Sequence, residues 1–310
     1  MLQVNDLRKK FKTTTAVDGV NLHLEQGESV GLLGPNGAGK STTISMISTL
    51  LPPTSGEVRF KGSDVLKNPD VIRPVLGVVP QEIALYEELT AYENMFFFGK
   101  TYGLSGEKLK SKIAEVLELV GLTERKKERI KNYSGGMKRR INMAVSLMHE
   151  PELLIMDEPT VGIDPQSRSH ILETVRELNR EKGMAILYTS HYMEEVERLC
   201  DRVYIMDHGQ IIASGSKEEL KSILSSEDTI LIEAQQKSEQ FIRKLNENEH
   251  IQQVVEVEQG YKVIVPKGDD LFADIFELAK KTQVKVKGVH VQTPTLEDVF
   301  LHLTGRKLRD

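Results

Sequence analysis

Hydrophobic and polar positions along this chain change rhythm once. Over residues 1 to about 215, short β-branched runs alternate with helical stretches, the pattern of an α/β fold built on a mostly parallel sheet. Three runs, residues 29–33, 153–156 and 184–188, are apolar without alternation and predict strands buried on both faces. Helices are predicted from Lys40, from Gly135 and from Gln166. The last has Asp164 as its N-cap and Pro165 at the first helical position, where a missing N–H costs nothing. Residues 203–206 and 210–213, joined through Asp207-His208-Gly209, predict a hairpin. A polar, Ser- and Lys-rich stretch over residues 217–227 then separates a domain of residues 1–216 from one of residues 228–310.

The second region predicts strands over residues 229–233, 252–257, 261–265 and 284–292, with helices over 238–246 and 269–281. That order, βαββαβ, predicts a small α+β domain of the ferredoxin-like type, closed by a helix over 295–303. In the first region, residues 82–132 read as largely helical. There Phe96, Phe97 and Phe98 cannot share one helix face, and each ring is read first as core. The run from Glu124 to Arg129 reads as a solvated charged face.

Composition narrows the function classes. With 310 residues, a net charge of -5 and a mean hydropathy of -0.31, the chain reads as an ordinary soluble protein of about two domains. No apolar run approaches the roughly 18 residues of a membrane span, so a membrane role has to pass through a partner. The opening MLQVNDLRKKFK lacks the apolar segment of a secretory signal, which predicts a cytosolic location. The acidic balance argues against general nucleic-acid binding. Cys200, the single cysteine, excludes an internal disulfide and is read as a small inert residue.

Two motifs carry chemistry. Gly34-Pro35-Asn36-Gly37-Ala38-Gly39-Lys40-Ser41-Thr42 fits G-x-x-x-x-G-K-[ST] at every fixed position, after an apolar strand and before a helix. Glycines let backbone N–H groups converge on a polyphosphate, and the helix N-terminus adds partial positive charge. Lys40 then bridges the β- and γ-phosphates, and the Ser41 hydroxyl ligates Mg²⁺. Further on, four apolar residues end in Asp157-Glu158-Pro159, which projects two carboxylates at the carboxyl edge of the sheet. Asp157 suits a Mg²⁺ site and Glu158 the polarisation of an attacking water.

With these residues in place, residues 1–215 resemble the ATP-binding subunit of an ABC transporter. Ser134-Gly135-Gly136-Met137, preceded by Tyr133, resembles the family signature LSGGQ, departing from it at the first and last positions and keeping its Ser-Gly-Gly centre. Gln81 resembles the Q-loop glutamine, residues 161–164 the D-loop, and His191 the switch histidine. Phe11 falls where the family places an adenine-stacking aromatic.

The resemblance implies ATP and Mg²⁺ as ligands, with Glu158, His191 and Gln81 as catalytic residues and Ser41, Gln81 and Asp157 around the metal. It implies a homodimer of ATPase subunits in which the phosphate loop of one copy and Ser134, Gly135 and Gly136 of the other close on each ATP. It also implies a separately encoded multi-span permease, docked near the Phe96–Phe98 segment, and a peripheral place on the cytoplasmic face of the membrane. The ending Thr293-Pro294-Thr295-Leu296-Glu297-Asp298-Val299-Phe300, with Leu303-Thr304-Gly305, resembles the daunorubicin-type bacterial drug-resistance exporters. Export of antibiotics or other amphiphilic compounds is then expected, and dimer stabilisation or regulation for the C-terminal domain. A non-transport ABC ATPase acting on ribosomes or DNA and an importer ATPase share the same motor and stay as alternatives. An unrelated P-loop kinase explains neither Ser134-Gly135-Gly136 nor His191.

Overall fold

The computed structural model describes residues 1–224, 227–257, 259–268, 271–292 and 294–304. Asp269, Thr293, residues 305–310 with Gly305, and two residues of the polar stretch (225 and 226) therefore lie outside the described residues. The chain divides into two compact units, Met1–Lys217 and a second beginning at Glu218.

The first unit opens with an antiparallel pair, β1 (Leu2–Phe11) and β2 (Thr14–Leu24), followed by β3 (Ser29–Leu33) and α1 (Lys40–Ile47). β4 (Ser55–Phe60) and the short β5 (Ser63–Asp64) join the opening pair in a sheet of order β2-β1-β4-β5. This antiparallel sheet departs from the mostly parallel expectation. Register shifts between Val4 and Leu7 and between Leu7 and Arg8 break the two-residue alternation that would have announced it.

β6 (Leu76–Val79) is followed by three helices, α2 (Ala91–Thr101), α3 (Gly106–Leu119) and α4 (Gly135–Ser146). β7 (Leu153–Asp157), α5 (Pro165–Lys182), β8 (Ala185–Ser190), α6 (Met193–Leu199), β9 (Arg202–Asp207) and β10 (Gln210–Ser216) complete the unit. Among the described residues these strands form one sheet, β10-β9-β3-β8-β7-β6, parallel except for the β9–β10 hairpin. Every residue of β3, β7 and β8 is buried, as the unbroken apolar runs predict. Each aliphatic side chain there contributes about 1.5–3 kcal/mol of transfer free energy. The hairpin turns through His208 and Gly209, both at positive φ (46° and 81°), which suits the right-handed twist of the pair.

Parallel register does the positioning. Leu33 pairs with Ser190 and Asp157 with Thr189, so the ends of β3, β7 and β8 finish level at one edge of the sheet. The loops that follow them carry the phosphate motif, Glu158 and His191.

The expectation that Phe96, Phe97 and Phe98 are core is corrected. Phe96 and Phe97 are exposed and Phe98 is half-buried. The inward face of α2 is set instead by Ala91, Met95 and Gly99, four residues apart, together with Asn94. Phe96 and Phe97 follow Met95 by about 100° and 200° and so turn away from the core. The run from Glu124 to Arg129 is a solvent-facing segment with a short 3₁₀ turn.

Cys200 is buried, 3.8 Å from the Ser29 hydroxyl, and burial pushes its thiol up to about 12. Since the thiolate is the reactive form, maleimide at pH 7–8 is expected to label the native chain negligibly and the urea-unfolded chain fully. Rapid native labelling, read by mass spectrometry, would contradict this burial.

In sequence, α7 (Lys217–Ser222) leads to β11 (Glu227–Ala234), α8 (Glu239–Asn246), β12 (Gln253–Val257), β13 (Gly260–Pro266), α9 (Phe272–Lys281) and β14 (Val286–Gln292). The strands form an antiparallel sheet of order β12-β13-β11-β14, the ferredoxin-like arrangement that βαββαβ predicts. Its core joins Ile230, Ile232, Tyr261 and Val263 of the sheet to Phe241, Leu245 and Ile275 of the helices. α10 (Leu296–Thr304) is capped by a reciprocal pair, in which the Thr295 hydroxyl accepts from the Asp298 N–H and the Asp298 carboxylate from the Thr295 N–H. Among the described residues no helix is long and apolar enough to cross a membrane.

Candidate active site

The phosphate loop leaves β3 at Gly34 and enters α1 at Lys40. Its glycines answer different demands. Gly34 lies so close to the hairpin that a Cβ would come 2.3 Å from the Met206 carbonyl oxygen. Gly39 combines φ of 107° with a similar approach to the Ala16 carbonyl, so only glycine fits. At Gly37 φ is 81° and no protein atom would meet a Cβ within 4 Å. The loop is thus braced against the protein at Gly34 and Gly39 and open at Gly37, as a phosphate cradle requires. The Gly209 N–H donates to the Ala38 carbonyl at 2.9 Å and braces it further.

Lys40 is buried, and its ammonium donates to the carbonyls of Gly34 (2.8 Å) and Pro35 (3.2 Å). It also lies 3.0 Å from Oε1 of Glu158. Glu158 follows β7 in a left-handed backbone conformation, φ 45°. Such a conformation costs a non-glycine residue about 1–3 kcal/mol and has to be held by its surroundings. The holding contact is Thr189, whose hydroxyl accepts from the Glu158 N–H (2.9 Å) and donates to Asp157 Oδ1 (2.8 Å). Oε2 of Glu158 is met by Gln81 Nε2 and by His191 Nδ1, each at 3.3 Å. Lys40, Gln81 and His191 therefore converge on one buried carboxylate.

The residues expected to hold a metal offer oxygen donors that could do so: the Ser41 hydroxyl at the start of α1, the Asp157 carboxylate anchored by Thr189, and the Gln81 carboxamide. This is the donor chemistry of a hard cation such as Mg²⁺. Asn36 and Ser41 are exposed, whereas Pro35 and Thr42 are half-buried.

Ser134, Gly135 and Gly136 start α4. The Ser134 hydroxyl accepts from the Met137 N–H at 3.2 Å and caps the helix. Ser134 and Gly135 are exposed, and among the described residues no hydrogen bond or ion pair joins them to the Lys40–Glu158 cluster. Gly136 is buried against the start of α5, where a Cβ would come 2.0 Å from the Ser167 hydroxyl. Phe11 is exposed at the end of β1, with the Lys9 ammonium 5.2 Å from its ring centre.

Two supporting residues were missed by sequence reasoning. Thr189 carries no signal beyond its place before the histidine. Arg139, one helical turn after Gly135, donates to the carbonyls of Pro80 (3.1 Å) and Gln81 (2.6 Å), and burial lowers its pKa. It ties the helix that begins at Ser134 to the backbone that carries Gln81.

Against this geometry, the comparisons with known proteins decide the family. Residues 17–161 match the family described as ABC transporter, and residues 215–304 the ATP-binding protein DrrA1-3-like, C-terminal domain. The linearmycin resistance ATP-binding protein LnrL of Bacillus subtilis (strain 168) is 50% identical over 312 residues, covering 100% of both chains. The chain belongs to the ABC transporter ATP-binding family. The daunorubicin/doxorubicin resistance ATP-binding protein DrrA of Streptomyces peucetius is 36% identical, covering 100% of this chain and 94% of the relative. Among solved structures, a dimeric ATP-binding cassette in a post-hydrolysis state with ADP and Pi superimposes with a TM-score of 0.65 at 26% identity. It covers 70% of this chain and 98% of that one. This ABC subunit thus has the ATPase fold of its family, and ATP is its substrate.

Proposed function

We propose that this ABC ATPase works as a homodimer on a separately encoded multi-span membrane protein, at the cytoplasmic face of the membrane, and powers export of antibiotics or other amphiphilic compounds. The observation that carries the ATPase half is the convergence of Lys40, Gln81 and His191 on Glu158. Glu158 polarises the attacking water, His191 orients at the γ-phosphate, and Gln81 links this carboxylate to the segment leading toward α2. Lys40 and the backbone of residues 34–42 hold the phosphates. Ser41, Asp157 and Gln81 would hold Mg²⁺, which would neutralise phosphate charge. The exposed Ser134 and Gly135 favour a site completed by a second copy, since a helix N-terminus with a hydroxyl and free backbone donors stabilises phosphate charge.

End-to-end similarity to two drug-resistance ATP-binding proteins, C-terminal domain included, supports export of amphiphilic compounds over import or a non-transport role. The exposed rings of Phe96, Phe97 and Tyr86 offer an apolar surface for the membrane protein. Tagged full-length Glu158→Gln, extracted gently from membranes with ATP present, is expected to bring down a multi-span membrane protein. Recovery of soluble dimer alone, or of ribosomes or DNA-associated proteins, overturns the transport reading.

A further inference from the structure

Glu195 is a buried carboxylate on α6 that the mechanism above does not use. Its two oxygens collect donors from several elements of the first unit. Thr160, two residues beyond Glu158, donates its hydroxyl at 2.7 and 2.8 Å. Tyr188 of β8 donates at 2.9 Å and Ser190, at the end of that strand, at 3.0 Å. Arg168 of α5 brings its Nε to 3.4 Å. Three hydroxyls donate to this carboxylate and the nearby Arg168 guanidinium offsets its charge, which is why it tolerates burial. Burial and the Glu195 charge together hold the Tyr188 hydroxyl well above its usual pKa, so Tyr188 stays a donor.

The contacts continue around His191 and close on themselves. The Ser190 hydroxyl, while donating to Glu195, accepts from the Tyr192 N–H at 2.9 Å. The Tyr192 ring packs on His191 with centroids 4.2 Å apart. The Arg168 guanidinium, already paired with Glu195, lies 4.5 Å over the Tyr192 ring. Both chain neighbours of His191 are therefore tied to Glu195, one directly and one through Arg168. Through Thr160 the same carboxylate ties the loop that carries Glu158.

We propose that Glu195 is a positioning residue for hydrolysis, fixing His191 and the Glu158 loop relative to each other so that the 3.3 Å approach of His191 Nδ1 to Glu158 is maintained. Its side-chain contacts among the described residues are with Thr160, Tyr188, Ser190 and Arg168, so it acts through these residues. The inference rests on the assignment of Glu158 and His191 to hydrolysis. Its signature is a loss of turnover without a loss of substrate binding, since a misplacement of about 1 Å can cost on the order of 100-fold in rate.

The test uses the full chain. Glu195→Ala, which leaves its donors unpaired, is expected to lower kcat about 10- to 100-fold per folded molecule. KM for ATP and nucleotide affinity stay within about twofold of wild type. Glu195→Gln, with the same shape and one acceptor oxygen, is expected to recover part of kcat. If Glu195→Ala does not fold, Ser190→Ala, which removes one arm of the ring, is expected to show the same split more mildly. Unchanged kcat in folded Glu195→Ala overturns the proposal, as does a raised KM at constant kcat; where that variant does not fold, unchanged kcat in both Glu195→Gln and Ser190→Ala overturns it. Glu158→Gln run alongside separates the two failures. Full turnover by that variant removes the catalytic assignment itself, whereas its arrest with normal Glu195 variants removes only the positioning role.

Discussion

Glu158→Gln is expected to bind ATP and hydrolyse it about 10²- to 10⁴-fold more slowly than the wild-type chain, the usual span for removing a general base. The substitution preserves shape in a buried position and removes only the charge that polarises water. It has a second consequence. Lys40 loses its negatively charged partner at 3.0 Å and keeps only neutral oxygens, those of Gly34 and Pro35 and the new carboxamide. Stripping one member from a buried ion pair costs about 3–5 kcal/mol, because the remaining charge is left without compensation. A triphosphate resupplies that negative charge. Thermal melting should therefore show a larger stabilisation by ATP in Glu158→Gln than in wild type. Phosphate release measures the first effect, and size-exclusion chromatography with ATP should find the variant held as a dimer. Wild-type turnover by Glu158→Gln would sink the assignment of the base.

Alanine at Gly135 and at Gly136 is expected to fail for opposite reasons. At Gly136 the new methyl would lie 2.0 Å from the Ser167 hydroxyl, 2.5 Å from its Cβ and 2.8 Å from Asp164 Oδ1. Ser167 and Asp164 belong to the cap of α5, where the Ser167 N–H donates to Asp164 Oδ2 at 2.9 Å, so neither atom gives way freely. Overpacking of this kind costs about 1–3 kcal/mol or more, and Gly136→Ala should melt several degrees below wild type. At Gly135 a methyl finds only the Gly162 carbonyl, 4.0 Å away. Gly135→Ala should melt as wild type and bind ATP as a monomer, yet lose hydrolysis, because in the proposed dimer the methyl would stand where the partner's nucleotide approaches. Melting curves and ATPase rates on the two variants check both halves. A destabilised Gly135→Ala would place that glycine in the packing of its own chain, and normal hydrolysis by it would remove the partner-completed site.

Much of the fold was legible because local pattern and tertiary placement agree. The unbroken apolar runs over residues 29–33 and 153–156 read as strands covered on both sides, and βαββαβ in the C-terminal region leaves few antiparallel arrangements besides β12-β13-β11-β14. Asp164 and Pro165 marked the start of α5, and the cap is present. The opening sheet was hidden because bulges in β1 shift its buried positions out of two-residue phase, from Leu2 and Val4 to Leu7, and Arg8, Lys9 and Lys10 follow with no apolar residue between them. The three phenylalanines misled for a related reason. Hydrophobicity alone assigns them inward, but the helical phase is set by Met95 and by Gly99, where a Cβ would lie 2.4 Å from Leu109 Cδ1.

By itself the sequence determined the chemistry available: a phosphate loop, a paired Asp157 and Glu158, a Ser-Gly-Gly helix start, and Gln81 and His191 at family spacing. These follow from residue types and short spacings, which a linear chain displays directly. Only the tertiary structure decided that Lys40, Gln81 and His191 meet on Glu158, that Gly136 serves packing while Gly135 stands open, and that Glu195 gathers Thr160, Tyr188, Ser190 and Arg168. Those contacts join residues far apart in the chain or on different elements. The contacts around Glu158 exist because parallel register brings β3, β7 and β8 to end level, a consequence of sheet pairing that no local pattern encodes.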